Sequence, residues 1–239
     1  MVWFLEGLCF LPTFLIIWSS STFLVNYLIA VLRGDVDVVF PYISDTGVNP
    51  PERCIFGLMA TISAFAGFAT MFARYKFVQK LIEGTGGMAP LLNVTTLILA
   101  IFSCAGMCVV ATFQETEIRF VHYIGASVFF ICGMIYIILQ TIISYMAHPY
   151  GSSKLMCHVR AVFSLVALLA VPTSILQISI ISALMTLFHW TPNQEYKLHV
   201  VCALSEWTSA FTFVFFFYTY IQEFKQFTLR VDVQLLEFT

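Results

Sequence analysis

Residues 120–147 read FVHYIGASVFFICGMIYIILQTIISYMA, 28 residues without one Asp, Glu, Lys or Arg. As an α-helix the run would be about 42 Å long, ample to cross a hydrocarbon core of roughly 30 Å. Working outward, five more runs of similar character appear: Cys9–Leu32, Cys54–Ala73, Ala89–Phe113, Ala161–Phe188 and Leu198–Gln222. Four are equally free of formal charge, and the last carries one acid, Glu206. Backbone groups in lipid must pair within their own segment, which leaves helices as the only open-ended choice. The expected fold class is all-α, an integral membrane bundle of six transmembrane helices. It forms a single transmembrane domain over residues 1–239, with a short tail at 223–239.

Composition agrees. Of 239 residues 60% are hydrophobic and 10% charged, against about half and a quarter in soluble domains, and the mean hydropathy is +0.91. A soluble core could not hide that much apolar surface. The net charge of −2 gives no electrostatic reason for a nucleic-acid partner. Seven cysteines, most of them inside the apolar runs, read as small hydrophobes, and no zinc-ligand spacing occurs. No cofactor is implied and no metal site is assigned. The amino-terminal run lacks the basic n-region of a signal peptide and continues to Leu32, so it reads as a retained span. For orientation, Arg74, Lys76, Lys80, Lys154, Arg160, Lys225 and Arg230 fall on one side, against Arg33, Arg53, Arg119 and Lys197. Seven against four predicts both termini in the cytosol.

Three features carry candidate chemistry. The loop Pro41-Tyr42-Ile43-Ser44-Asp45-Thr46-Gly47, followed by Pro50-Pro51-Glu52-Arg53, has the composition of an ordered turn and is expected to fold back over the mouth of the bundle. Within it Tyr42, Ser44, Asp45 and Glu52 are candidate ligand or headgroup contacts. Glu206 lies about 12 Å inside the sixth span, a depth at which a carboxylate is costly and should face the interior with a partner. His199, seven residues earlier, shares its helix face, and His122 opens the fourth span on the same side. A cluster of Glu206, His199 and His122 is open to three readings: a polar clamp between helices, a headgroup site, or a catalytic group. No catalytic residue is assigned beyond these candidates. In the tail, Asp232 followed by Leu235 and Leu236 has the form of an acidic dileucine sorting signal. Asn93-Val94-Thr95 matches a glycosylation sequon but falls on the expected cytosolic side.

Trp18-Ser19-Ser20, the Pro41–Gly47 run, Pro51-Glu52, Arg74-Tyr75-Lys76, Gln140 and Glu206-Trp207 together resemble the DRAM (damage-regulated autophagy modulator) family, within the wider FRAG1/DRAM/Sfk1 group. The resemblance covers the chain to about Arg230, and the short tail looks more like the founding member than its longer-tailed paralogue. It implies a six-span protein of lysosomal membranes that promotes autophagy and links stress signalling to cell death. It implies no agreed catalytic activity. The expected partners are membrane lipids, sorting adaptors at the tail and other membrane proteins. A lipid-modifying enzyme using Glu206, His199 and His122, and a small-solute transporter or channel, are the rival expectations.

Overall fold

In the computed structural model, residues 7–85, 89–176 and 192–230 are described. The helices are α1 (Phe10–Arg33), α2 (Glu52–Thr85), α3 (Pro90–Thr112), α4 (Arg119–Ala147), α5 (Lys154–Leu176), α6 (Pro192–Tyr218) and the short α7 (Ile221–Phe224), with a 3-10 turn at Asp45–Gly47. Six of them are long and apolar enough to cross a membrane. Each packs against the next in chain order, and α6 returns to α1, so the bundle is a closed ring. Leu8 N donates to the Phe224 carbonyl at 2.8 Å, which places the start of α1 and the end of the ring at the same end.

Local sequence explains the packing. Along α1 the buried residues Leu15, Ser19, Thr22, Phe23, Asn26 and Ala30 recur every three or four positions, one helical face. The polar members of that face, Ser19, Thr22 and Asn26, therefore point into the bundle, where small hydroxyls let helices approach closely. Trp18 Nε1 donates to the Met59 carbonyl at 2.9 Å and ties α1 to α2. Between α3 and α4 the approach is tight at Gly106, where a Cβ would lie 2.6 Å from Phe129 N and 2.7 Å from Gly125 O. Ser103 Oγ donates to the Phe129 carbonyl beside it. Gly34 ends α1 at φ 76°, a left-handed conformation that lacks a steric penalty only in glycine.

Helix ends near 9–32, 89–113 and 120–147 lie within a residue of the expected spans. The second helix differs: α2 continues from Glu52 to Thr85, about 51 Å, where the sequence suggested 54–73. Arg74 had marked the end of that span, but it is fully buried and helical. The fifth helix begins earlier than expected, at Lys154 for the same kind of reason, with Arg160 buried inside it. Residues 177–188 of that expected span, with Gln177, lie outside the described residues. The sixth span begins at Pro192, before the expected 198, and the last stretch of it is broken into α6 and α7.

Candidate functional site

Two polar centres occupy opposite ends of the ring. At the mouth, segment 41–44 lies along the first half of α6, between His199 and Trp207, and is held by three of its side chains. Trp207 Nε1 donates to the Pro41 carbonyl at 2.8 Å. The Tyr42 ring meets His199 edge-on, with centroids 4.7 Å apart. Ile43 N donates to Glu206 Oε2 at 3.1 Å. Thr46 Oγ1 donates to the Ile43 carbonyl at 2.6 Å and closes the following turn. Gly47 sits against the Phe56 ring, with space for no Cβ. The loop does fold over the mouth, but the clamp is between helix and loop rather than between helices.

The expected histidine–carboxylate cluster is only partly assembled. His122 is buried, and its Nδ1–H donates to the Phe113 carbonyl at 2.6 Å. Glu206 and His122 line one cavity of about 50 Å³ roofed by Ile43 and Ser44. His199 is not part of that lining and is taken up by Tyr42. Around the rim, Glu115 accepts from Tyr123 OH at 2.6 Å and from Ser44 Oγ at 3.5 Å. Glu52 is buried at the first turn of α2, with Arg33 Nε 3.0 Å from its Oε1 in an ion pair that lacks hydrogen-bond geometry. Arg53 and Glu117 make a two-pronged pair at 2.5 and 2.8 Å.

Electrostatics at the mouth follow from this crowding of acids. Burial, and then the neighbouring Glu115, push the Asp45 carboxyl up to about 6, partly offset by the Tyr42 backbone amide. Burial first, and then Cys202 and the nearby acids, also raise the Tyr42 phenol, whose OH has no hydrogen-bond partner. Among the described residues no group of three or more His, Cys, Asp or Glu is placed to hold a metal ion.

The second centre was not foreseen. Arg74 on α2 and Arg160 on α5 are both fully buried and converge on Glu223 of α7. Arg74 Nη1 pairs with Glu223 Oε2, and Arg160 Nη2 lies 2.8 Å from Oε1. Ser152 Oγ donates to the same Oε1 at 2.5 Å. Arg74 Nε donates to Gln140 Oε1 at 3.2 Å, and Gln140 passes the connection to Thr96 on α3 at 3.1 Å. Arg160 donates to Ser144 Oγ at 2.7 Å and to Thr219 Oγ1 at 2.8 Å. The Tyr220 ring lies between the two guanidiniums, 5.0 and 4.8 Å from their carbons. One network thus ties α2, α3, α4, α5 and α7. The signal in the sequence was Gln140 and Ser144, one turn apart in a span without formal charge. They imply a polar partner arriving from another helix.

The sorting-signal candidates Asp232, Leu235 and Leu236 lie outside the described residues. Asn93 is buried, with Nδ2 donating to the Tyr75 carbonyl at 3.0 Å, so its side chain is engaged within the bundle.

Comparison with known proteins gives this architecture its relatives. No solved structure matches the chain. The profile described as Frag1/DRAM/Sfk1/Cwh43P N-terminal domain matches residues 7–227. Human DNA damage-regulated autophagy modulator protein 1 is 45% identical over 98% of each chain. Rat DNA damage-regulated autophagy modulator protein 2 is 42% identical over 98% of this chain and 90% of its own. A zebrafish modulator of macroautophagy, TMEM150B, is 30% identical over 64% of each. Identity alone does not separate proteins 1 and 2. From the amino-terminal helix to the residues beyond Glu223, the chain belongs to the Frag1/DRAM/Sfk1/Cwh43P family.

Proposed function

We propose that this is an endolysosomal membrane protein that modulates autophagy and stress-linked cell death by engaging lipid or protein partners at the mouth of its helix ring. The whole-length similarity to autophagy modulators supports the process. The geometric observation that carries the site is the three-point hold of α6 on segment 41–44, roofing a cavity that contains Glu206 and His122. Release of that segment, which also takes Ser44 from Glu115 and the buried Ile43 side chain from its cluster with Phe23 and Phe56, opens the cavity. We place the mouth in the lumen and both termini in the cytosol, with sorting adaptors reading the tail. With Arg74 and Arg160 removed from the loop count, five basic residues against four still favour that orientation. The alignment takes in more of protein 1 than of protein 2, which supports a short-tailed type like the former.

The test is rescue in cells that lack the protein, comparing wild type with a Glu206→Ala, Trp207→Ala double variant. Both should reach lysosomes, and only the wild type should restore autophagic flux. Wild-type protein retained at the ER or plasma membrane would sink the location. Full rescue by the double variant would sink the mouth as the working site.

A further inference from the structure

The connection from α1 to α2 changes character along its length. Asp35 and Asp37 are exposed, and Asp35 is held at the rim by Arg33 Nε at 3.2 Å and Asn49 Nδ2 at 2.9 Å. The next three residues, Val38, Val39 and Phe40, are apolar and 65%, 51% and 45% exposed. Pro41 and Ile43 are buried, so the chain passes into the ring directly after this run. Two side chains set its height. Tyr27 OH donates to the Val38 carbonyl at 2.8 Å, and Trp207 Nε1 holds the Pro41 carbonyl. The Tyr27 and Trp207 rings meet edge-on, 6.0 Å apart, so both ties lie at one level of the seam between α1 and α6. Tyr27 is six residues before Arg33, about 9 Å below the end of α1, and Trp207 is ten residues after Lys197, about 15 Å along α6. The run therefore sits below the charged helix ends, at the level of the exposed α1 residues Leu24 and Leu28.

We propose that Val38, Val39 and Phe40 form a re-entrant lip that inserts into the leaflet on the mouth side, its apolar side chains covered by the upper acyl chains of that leaflet. The inference goes beyond the proposed function and needs only that the ring spans a bilayer. Three observations support lipid rather than water as the cover. A patch of adjacent large apolar side chains outside a helix marks an interaction surface, and this one is continuous in depth with the apolar flank of α1. Where water is scarce, backbone carbonyls need partners within the protein. Val38 and Pro41 draw theirs from side chains of the two flanking helices, and Pro41 has no N–H to satisfy. A loop standing in water would require neither tie. Finally, Phe40 has φ 49°, a left-handed conformation that is costly for a bulky residue. It stands where the exposed run turns into the ring, and its own side chain stays outside. Burial of that ring in lipid offsets the cost, whereas exposure to water adds to it. A depth of roughly 5–10 Å is the range in which interfacial segments lie, with Trp and Tyr favoured beside them.

The test reads depth on the full-length protein in phospholipid nanodiscs. A dansyl amino acid is placed at position 39 or, separately, at position 37, and is quenched by iodide in the water and by phospholipid brominated high on the acyl chain. The ratio of lipid quenching to iodide quenching should be about tenfold higher at 39 than at 37, the factor given by about 1.4 kcal/mol of preference for the lipid side. Wild-type protein, with no substitution to disturb the loop, should be labelled within residues 38–40 by a phospholipid carrying a diazirine at the same depth, as resolved by peptide fragmentation. Iodide quenching at 39 equal to that at 37 would put the lip in water and overturn the proposal. Quenching at 39 by neither agent would mean a protein cover, such as a second copy of this chain, and overturns it equally. So does wild-type label on α1 that skips residues 38–40.

Discussion

Replacing Glu223 with Gln tests the reading of the buried arginines most directly. The substitution keeps shape and removes the only carboxylate paired with Arg74 and Arg160 among the described residues. Gln still offers one acceptor oxygen, but its amide donors now face guanidinium donors, and Ser152 Oγ loses a charged acceptor. Removing one partner from a buried pair costs roughly 3–5 kcal/mol, because the other charge is left uncompensated. A chain of this size shifts its midpoint by about 2–4 °C per kcal/mol, so thermal unfolding in detergent should fall by roughly 6–20 °C. Lys80→Ala is the internal control: the Lys80–Glu83 side chains are 84% and 54% exposed, and such pairs contribute almost nothing. Buried pairs are often replaceable by apolar residues without loss. Arg74→Met, Arg160→Met and Glu223→Leu together should therefore recover most of the midpoint that Glu223→Gln loses. A Glu223→Gln midpoint within about 2 °C of wild type would refute the reasoning.

Two further predictions follow from packing and titration. Asp45 has its folded-state pKa raised to about 6 from 3.8, so the folded loop binds its proton more tightly than the released one. The resulting stabilisation is complete below the lower value and is lost as pH rises through the upper one, about 3 kcal/mol at most. Protection factors of residues 38–51, taken against the intrinsic exchange rate at each pH, should be higher at pH 5 than at pH 7, and Asp45→Asn should flatten the difference; protection that rises with pH would contradict it. Gly106→Ala should lower the thermal midpoint by several degrees, since its Cβ would meet backbone atoms of α4 at 2.6 and 2.7 Å and overpacking costs roughly 1–3 kcal/mol. Gly84→Ala should not, and equal midpoints for the two would count against the close α3–α4 contact.

Much of this fold was legible in the sequence, because membrane helices announce themselves by length and lack of charge. The same signal failed at Arg74 and Arg160. A hydropathy window treats every arginine as a boundary, and the rule for loop charges then counts it as cytosolic. Both residues are instead buried, one on a helix that continues eleven residues further and one that begins six residues earlier. Glu223 escaped for a related reason: it lies one residue past the Gln222 at which the sixth run was ended. Pairing between three segments distant in sequence leaves no local mark. At the mouth the sequence did better. Depth marked Glu206, and the Pro, Asp and Gly of residues 41–47 marked a folded turn. What spacing could not give was the partner. A seven-residue separation puts His199 and Glu206 on one face, but the loop segment lying across them decides that one meets a ring and the other an amide.

The two ends of the ring are consequently built to different standards of rigidity. At the Glu223 end, two guanidiniums and one carboxylate are sealed among five helical segments, and any separation of those segments exposes an unpaired buried charge. At the mouth, the segment over the cavity is held by hydrogen bonds worth about 0.5–3 kcal/mol each and by one buried apolar side chain, Ile43. Opening is therefore far cheaper at the mouth, and low-stability elements are where ligand-binding motion resides. If the ring works by admitting or releasing a partner, the loop at residues 41–47 should move while the arginine network stays fixed. Charge sharpens that conclusion. At the mouth the clustered acids Asp45 and Glu115 repel one another and favour release of the loop once Asp45 loses its proton.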